Sequence, residues 1–273
     1  IIDLSLGEPD FKTPDHIIEA AIQAMHDGFT KYPPVAGFLD LKQAIVDKFQ
    51  RDNHLTYATD EVMVSTGAKQ CIYNAVMSIV NDGDEVLIPS PFWVTYADIV
   101  KLSEGTVVQL FGSFENDFKI TPAQLRKAIT SKTKLFMFSS PCNPTGSIYS
   151  FEELKALVEV FVDYPQVFIL SDEIYEHINF EAAHESIAQF AEIKDRVIVI
   201  NGLSKAFAMT GWRLGYMAAH KDIIKACEKI QSQSTSGPNS ITQRAAIAAL
   251  NGDMQPTKMM CDALKEGREF EVC

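Results

Sequence analysis

Val197-Ile198-Val199-Ile200-Asn201-Gly202-Leu203-Ser204-Lys205-Ala206-Phe207-Ala208-Met209-Thr210-Gly211-Trp212-Arg213 is the stretch around which this chain is organised. Its first four residues are β-branched and read as a short buried strand. A turn of small residues follows, then a lysine, then an arginine, an order that can hold an anionic cofactor and bond to it covalently. Lysine is a nucleophile only when unprotonated, so a reactive lysine must sit where its charge is disfavoured. Leu203, Phe207 and Met209 would supply that desolvation. On residue type alone a lysine in such a turn is more often a surface residue; what lies upstream singles this one out.

Working outward, the 273 residues are 47% hydrophobic and 22% charged, enough to bury the core of one large domain or two smaller ones. The formal charge of -12 argues against nucleic acid or an anionic membrane as the main partner. No apolar run approaches the roughly 20 residues of a membrane helix, and Ile1-Ile2-Asp3 lacks the basic start of a signal peptide. Cys71, Cys142, Cys227, Cys261 and Cys273 are scattered and odd in number, which fits a reduced, cytoplasmic setting. The histidines are equally dispersed, so no metal is expected.

The rest of the chain alternates. Thr13 is read as the cap of a first helix with Pro14 at its first position, Ile17, Ile18, Ala21, Ile22 and Met25 as its stripe, and Gly28 as its stop. Leu41, Ile45 and Phe49 mark a second helix. Strands are expected at 62–64, 85–88, 106–110, 135–138, 167–170 and 197–200, with helices at 68–80, 95–102, 122–129 and 151–162 between them. Continuous apolar strands separated by helices imply an α/β fold, a mostly parallel sheet covered on both faces.

Ligands of such sheets bind beyond the carboxyl ends of the strands. Four polar loops meet there: 65–69, 139–146, 171–175 and the lysine turn. Gly67, Ala68 and Lys69 open a helix whose amides favour a phosphate, a signal that is weak alone. Ser204 and Arg213 could add a hydroxyl and a bidentate cation. Asp172 ends an apolar strand, so it is buried and needs a cation, either a structural ion pair or a protonated ring nitrogen of a pyridoxal-type cofactor.

Ser204-Lys205-Ala206-Phe207-Ala208-Met209-Thr210-Gly211-Trp212-Arg213, together with Asn143-Pro144-Thr145-Gly146 and Asp172-Glu173-Ile174-Tyr175, resembles the class I and II aminotransferases of pyridoxal phosphate fold type I, especially the bacterial-type aspartate aminotransferases. The resemblance runs from Leu6-Gly7-Glu8-Pro9 to about Leu250. It implies a seven-stranded-type large domain over 15–255, an N-terminal arm at 1–14, and an incomplete small domain beginning at 256–273. It implies that Lys205 holds the cofactor covalently and moves a proton, that Asp172 keeps the ring nitrogen protonated, and that Tyr175 and Asn143 bond the ring's phenolic oxygen. Asn143 would also meet the substrate carboxylate. Trp93 would stack on the ring, or else be a half-buried core indole. Gly67, Ala68, Lys69, Ser204 and Arg213 would hold the phosphate, with Tyr32 reaching the phosphate of a neighbouring subunit in a homodimer. Gly7 would lie beside the substrate carboxylate, or simply form a turn.

The implied reaction is transamination of aspartate with 2-oxoglutarate by a ping-pong cycle. An aromatic or prephenate aminotransferase and a carbon–sulfur β-lyase share these residues. A cofactor-binding sensor domain fits less well, because this acidic chain shows no basic helix-turn-helix. Two departures stand out. Gly202 occupies a position where some members carry a phosphate-binding serine or threonine. The arginine that pairs with the substrate α-carboxylate is not found, and 267–273 reads as a break in the helix expected over 259–265.

Overall fold

The computed structural model describes residues 7–180 and 183–271, so Leu6 and Cys273 lie outside the described residues. The elements are α1 (Asp15–His26), α2 (Leu39–Asn53), β1 (Val62–Ser65), α3 (Ala68–Ile79), β2 (Glu85–Ser90), α4 (Thr95–Leu102), β3 (Thr106–Phe111), α5 (Pro122–Ala128) and β4 (Thr133–Ser139). They continue with α6 (Phe151–Val162), β5 (Phe168–Asp172), β6 (Val197–Gly202), β7 (Gly215–Ala218), α7 (Lys221–Ser234), α8 (Ser240–Asn251) and α9 (Gln255–Glu271).

Among the described residues the strands form one open sheet in the order β1-β7-β6-β5-β4-β2-β3. The pairs β2/β3, β2/β4, β4/β5 and β5/β6 are parallel, and β7 runs antiparallel to both of its neighbours. Side chains alternate across the pleat. Phe136, Phe138, Ile169, Val197 and Val199 pack on the face covered by α1, α2, α5, α6 and α8. Leu135, Met137, Leu170, Ile198 and Ile200 pack on the opposite face under α3, α4 and α7. Burial on both sides is why these strands are unbroken apolar runs. The α/β expectation therefore holds, with one difference: the six runs legible in the sequence are joined by a seventh strand, β7, slotted between β1 and β6.

Several elements follow their local chemistry. α5 starts at Pro122 behind Thr121, whose hydroxyl accepts the Gln124 amide while Gln124 returns a bond to Thr121. Gly28, at φ 77°, ends α1. Thr13 does not cap α1: its hydroxyl donates to the Ala208 carbonyl (2.8 Å) and accepts from the Trp212 indole (3.0 Å), so it ties the lead-in to the lysine turn instead. The buried stripe of α1 is Ile17, Ala21 and Ala24, whereas Ile22 and Met25 face solvent, because α8 covers only the narrow side of that helix. α9 also departs from expectation. It passes through Gly267 to Glu271, since one interior glycine costs only about 1 kcal/mol and 17 residues carry it.

Candidate active site

The sheet register brings the loops into one row. Ser139 pairs with Asp172, Gly202 with Gly215, and Gly215 is also opposite Ser65. The carboxyl ends of β1, β4, β5 and β6 thus share one edge of the sheet, and a cavity of about 690 Å3 opens beside those of β4 and β5, lined among others by Gly7, Lys119, Asn143, Tyr175 and Arg268; Lys205, Asp172, Trp93, Ala68 and Arg213 lie outside that lining.

Lys205 is half-buried and its ammonium donates to the Gly7 carbonyl. It also lies 5.7 Å from the centre of the Tyr175 ring. Burial pulls its pKa down; Glu8 opposes this and nearby Arg213 adds to it. The turn is held from outside as well: Thr210 donates to Glu8 (2.8 Å) and Thr257 of α9 donates to the Ala206 carbonyl (2.7 Å). A lysine so placed is closer to a free amine than an exposed one, which is what covalent chemistry needs.

Asp172 is buried, and burial pushes its carboxyl up to about 6, although the Tyr96 hydroxyl (2.7 Å) and the Ile174 amide favour the charged form. No ion pair among the described residues neutralises it. Tyr96 went unnoticed in the sequence because a tyrosine on an apolar helix reads as core. The signal was its spacing: three residues after Trp93, it shares one turn with it, and the two rings meet edge to face at 5.7 Å. Trp93 is half-buried, with the Lys69 ammonium 4.7 Å from its ring centre. Tyr175 hydrogen-bonds Asn143, and burial raises its phenol.

The third part of the site is the start of α3. Its cap position is Gly67, at φ 84°, with no side-chain cap bond. The Arg213 guanidinium presses on Gly67 so closely that a Cβ there would come within 2.5 Å of Nη2. Arg213 is fixed by a bond from Nη1 to the Thr210 carbonyl (2.8 Å). Gly215 is just as constrained, since its Cβ would fall 2.2 Å from the Ala68 nitrogen. Gly202 packs between Ile174 and Gly215, where a side chain would be crowded at 3.1 Å, which accounts for glycine at that position. Ser204 is buried, nine residues before Arg213 in the chain. The uncapped amides and the guanidinium are an anion site.

Among the described residues, therefore, neither Arg213 at the α3 cradle nor the buried Asp172 carboxylate has a partner of opposite charge, although both are hydrogen-bonded. A ligand carrying an anionic group at one end and a protonated ring nitrogen at the other would answer both. Tyr32 is not brought to the cavity; it is 94% exposed.

The whole chain has known counterparts. Residues 1–270 match the family model for aminotransferase class I and II, so the likeness continues well past Leu250. An aspartate/prephenate aminotransferase from Nitrosomonas europaea is 50% identical over 272 residues, 99% of this chain and 68% of that protein. An aspartate aminotransferase from Geobacillus stearothermophilus is 50% identical over 97% of this chain and 68% of its own length. The crystal structure of the aspartate aminotransferase from Rhizobium meliloti superposes with a TM-score of 0.97 at 43% identity, covering 98% of this chain and 67% of that one. The chain thus spans about two thirds of the length of each.

Proposed function

The chain belongs to the class I and II aminotransferases, and from that premise we propose that it transfers the amino group of aspartate to 2-oxoglutarate with pyridoxal 5′-phosphate as cofactor. The observation that carries this reading is the pairing of two unanswered charges with a lysine of lowered pKa at one row of strand ends. When bound, the cofactor supplies an electron sink for the carbon that loses its amino group. Lys205 would hold the cofactor covalently, and its amine, with its pKa lowered by burial, would be the base that moves the α-proton. Asp172 holds the ring nitrogen protonated, and Tyr96 orients Asp172. Tyr175 and Asn143 donate to the phenolic oxygen. Gly67, Ala68, Lys69, Ser204 and Arg213 bind the phosphate, while Trp93 covers the ring. Gly7 and Asn143 face the substrate carboxylate.

The relative named for both aspartate and prephenate favours one second reading, in which prephenate is also accepted. A homodimer with shared sites belongs to the same proposal, supported by the exposure of Tyr32. A cytoplasmic location is in keeping with the free thiols of Cys71, Cys142, Cys227 and Cys261. No helix of the described residues is long and apolar enough to cross a membrane.

Borohydride reduction of the chain loaded with pyridoxal phosphate, followed by peptide mapping, should place the adduct on Lys205, and Lys205→Ala should abolish it. An adduct on Lys69 instead would overturn the assignment. A panel of aspartate, prephenate-linked and aromatic substrates then sorts the donors. With a thioether amino acid, release of thiol, ammonia and pyruvate with no amino group passed to 2-oxoglutarate would make the chain a lyase.

A further inference from the structure

The segment Asp172-Glu173-Ile174-Tyr175-Glu176 has two residues in the proposed site and two acids that the reaction does not use. Glu173 and Glu176 are both buried. Glu173 accepts from the Ser171 hydroxyl (2.9 Å), the Ser186 hydroxyl (2.7 Å) and the His184 ring at 2.9 Å. Glu176 is salt-bridged to Lys48 of α2, itself buried, and receives the Asn53 amide at 2.8 Å and the His177 ring at 3.1 Å. Lys48 also donates to Asn53 (2.7 Å). The backbone between the acids is tied as a turn, with the Glu173 amide on the Ile200 carbonyl of β6 and the Glu176 amide on the Glu173 carbonyl.

A buried ion network of this kind is poor value as a source of stability, because apolar residues of equal volume commonly do as well. What charges offer that apolar groups do not is direction: each bond fixes an atom. The carboxyl and histidine atoms of Glu173, Glu176 and His184 lie within 4.8 Å of one another, a spacing that also suits a cation. The Lys48 ammonium already serves Glu176, and with His184 protonated the four charges sum to zero. Burial is the largest influence on both groups and resists charging them, yet Glu173 and Glu176 together raise the His184 pKa, and Lys48, His177 and His184 together hold Glu176 well below the usual carboxylate range.

We infer that Glu173 and Glu176, clamped by His184 and Lys48, are positioning residues that fix the turn carrying the buried Asp172 carboxylate and Tyr175 of the cavity wall. The clamp joins α2, the turn after β5 and residues 184–186 through hydrogen bonds and ion pairs. It rests on the reading above, in which Asp172 and Tyr175 contact the cofactor.

The test uses the full-length chain loaded with pyridoxal phosphate and the double variant Lys48→Met/Glu176→Gln, which removes both charges together and leaves neither stranded. Two readouts are needed: the pH midpoint of the cofactor's visible absorption, and kcat and KM measured separately. The clamp predicts a folded variant with the midpoint raised by about half a pH unit or more. It also predicts kcat lowered about tenfold or more, with KM within about twofold of the parent. A folded variant with parental midpoint and kcat overturns the inference and leaves the network a packing device. Should the double variant not fold, Asn53→Ala takes one bond from Glu176, keeps both charges paired, and is judged by the same two outcomes. A parent that never develops the absorption band defeats the functional reading; a normal parent with unshifted variants defeats this inference alone.

Discussion

Asp172 is where stability and chemistry pull in opposite directions. Its carboxyl stands at about 6 in the fold against an ordinary 3.8. The folded chain therefore holds that proton more tightly than the unfolded chain, and stability falls as pH rises from about 4 through 6. Fully ionised, the group costs on the order of 3 kcal/mol before a cation arrives. Asp172→Asn should accordingly raise the melting temperature of the cofactor-free chain at pH 7.5, with a smaller gain at pH 5. The same change should lower turnover of the loaded enzyme about ten- to a hundredfold. An equal melting shift at both pH values would show that the carboxylate is not the source. At this scale the placement of the candidate residues was legible in the sequence: Asp172 ends β5, Asn143, Tyr175 and Lys205 follow β4, β5 and β6 by three or four residues, and Arg213 stands just before β7. For Tyr96 the sequence offered only its spacing from Trp93, and for Lys48 and Glu176 nothing; their partners are 76 and 128 residues away and can be assigned only after the sheet has set the distances.

Among the elements, β7 holds the cradle together, and Gly215 is its critical point. Gly215→Ala would drive a methyl group into the first amide of α3. The expected result is a melting temperature lower by several degrees and pyridoxal phosphate bound at least about tenfold more weakly, read by thermal scan and fluorescence titration. Gly267→Ala is the contrasting case. That residue is an exposed position of α9 with nothing within 4 Å of an added Cβ, so the change should stabilise by up to about 1 kcal/mol. Strands built of Val, Ile, Leu and Phe, such as β4 and β6, could be read directly because both faces are covered. β7 could not: Gly-Tyr-Met-Ala has no β-branched residue, four residues give no period, and its pairing comes from neighbours β1 and β6. α9 was cut short for the opposite reason, as its glycine is a local cost that the length of the helix absorbs.

For the molecule as a whole, an exposed Tyr32 makes a prediction about two copies together. Mixing Lys205→Ala chains with Tyr32→Phe chains and re-forming dimers gives hybrids with one site lacking both residues and one complete site. Recovered cofactor affinity in that complete site supports exchange across the interface, whereas affinity that follows each chain's own Tyr32 refutes it. The strand order carries a different consequence, one that concerns synthesis. Among the strands of the described residues β1 leaves the ribosome first, yet its one neighbour there is β7, the last of them to be made. At about 5–20 residues per second, the roughly 150 residues between them take about 8–30 s to appear. Throughout that interval Val62, Met63 and Val64 have no place in the sheet, and α1 likewise waits for α8. A segment made early is thus late to find shelter, and it is the part a chaperone would have to guard.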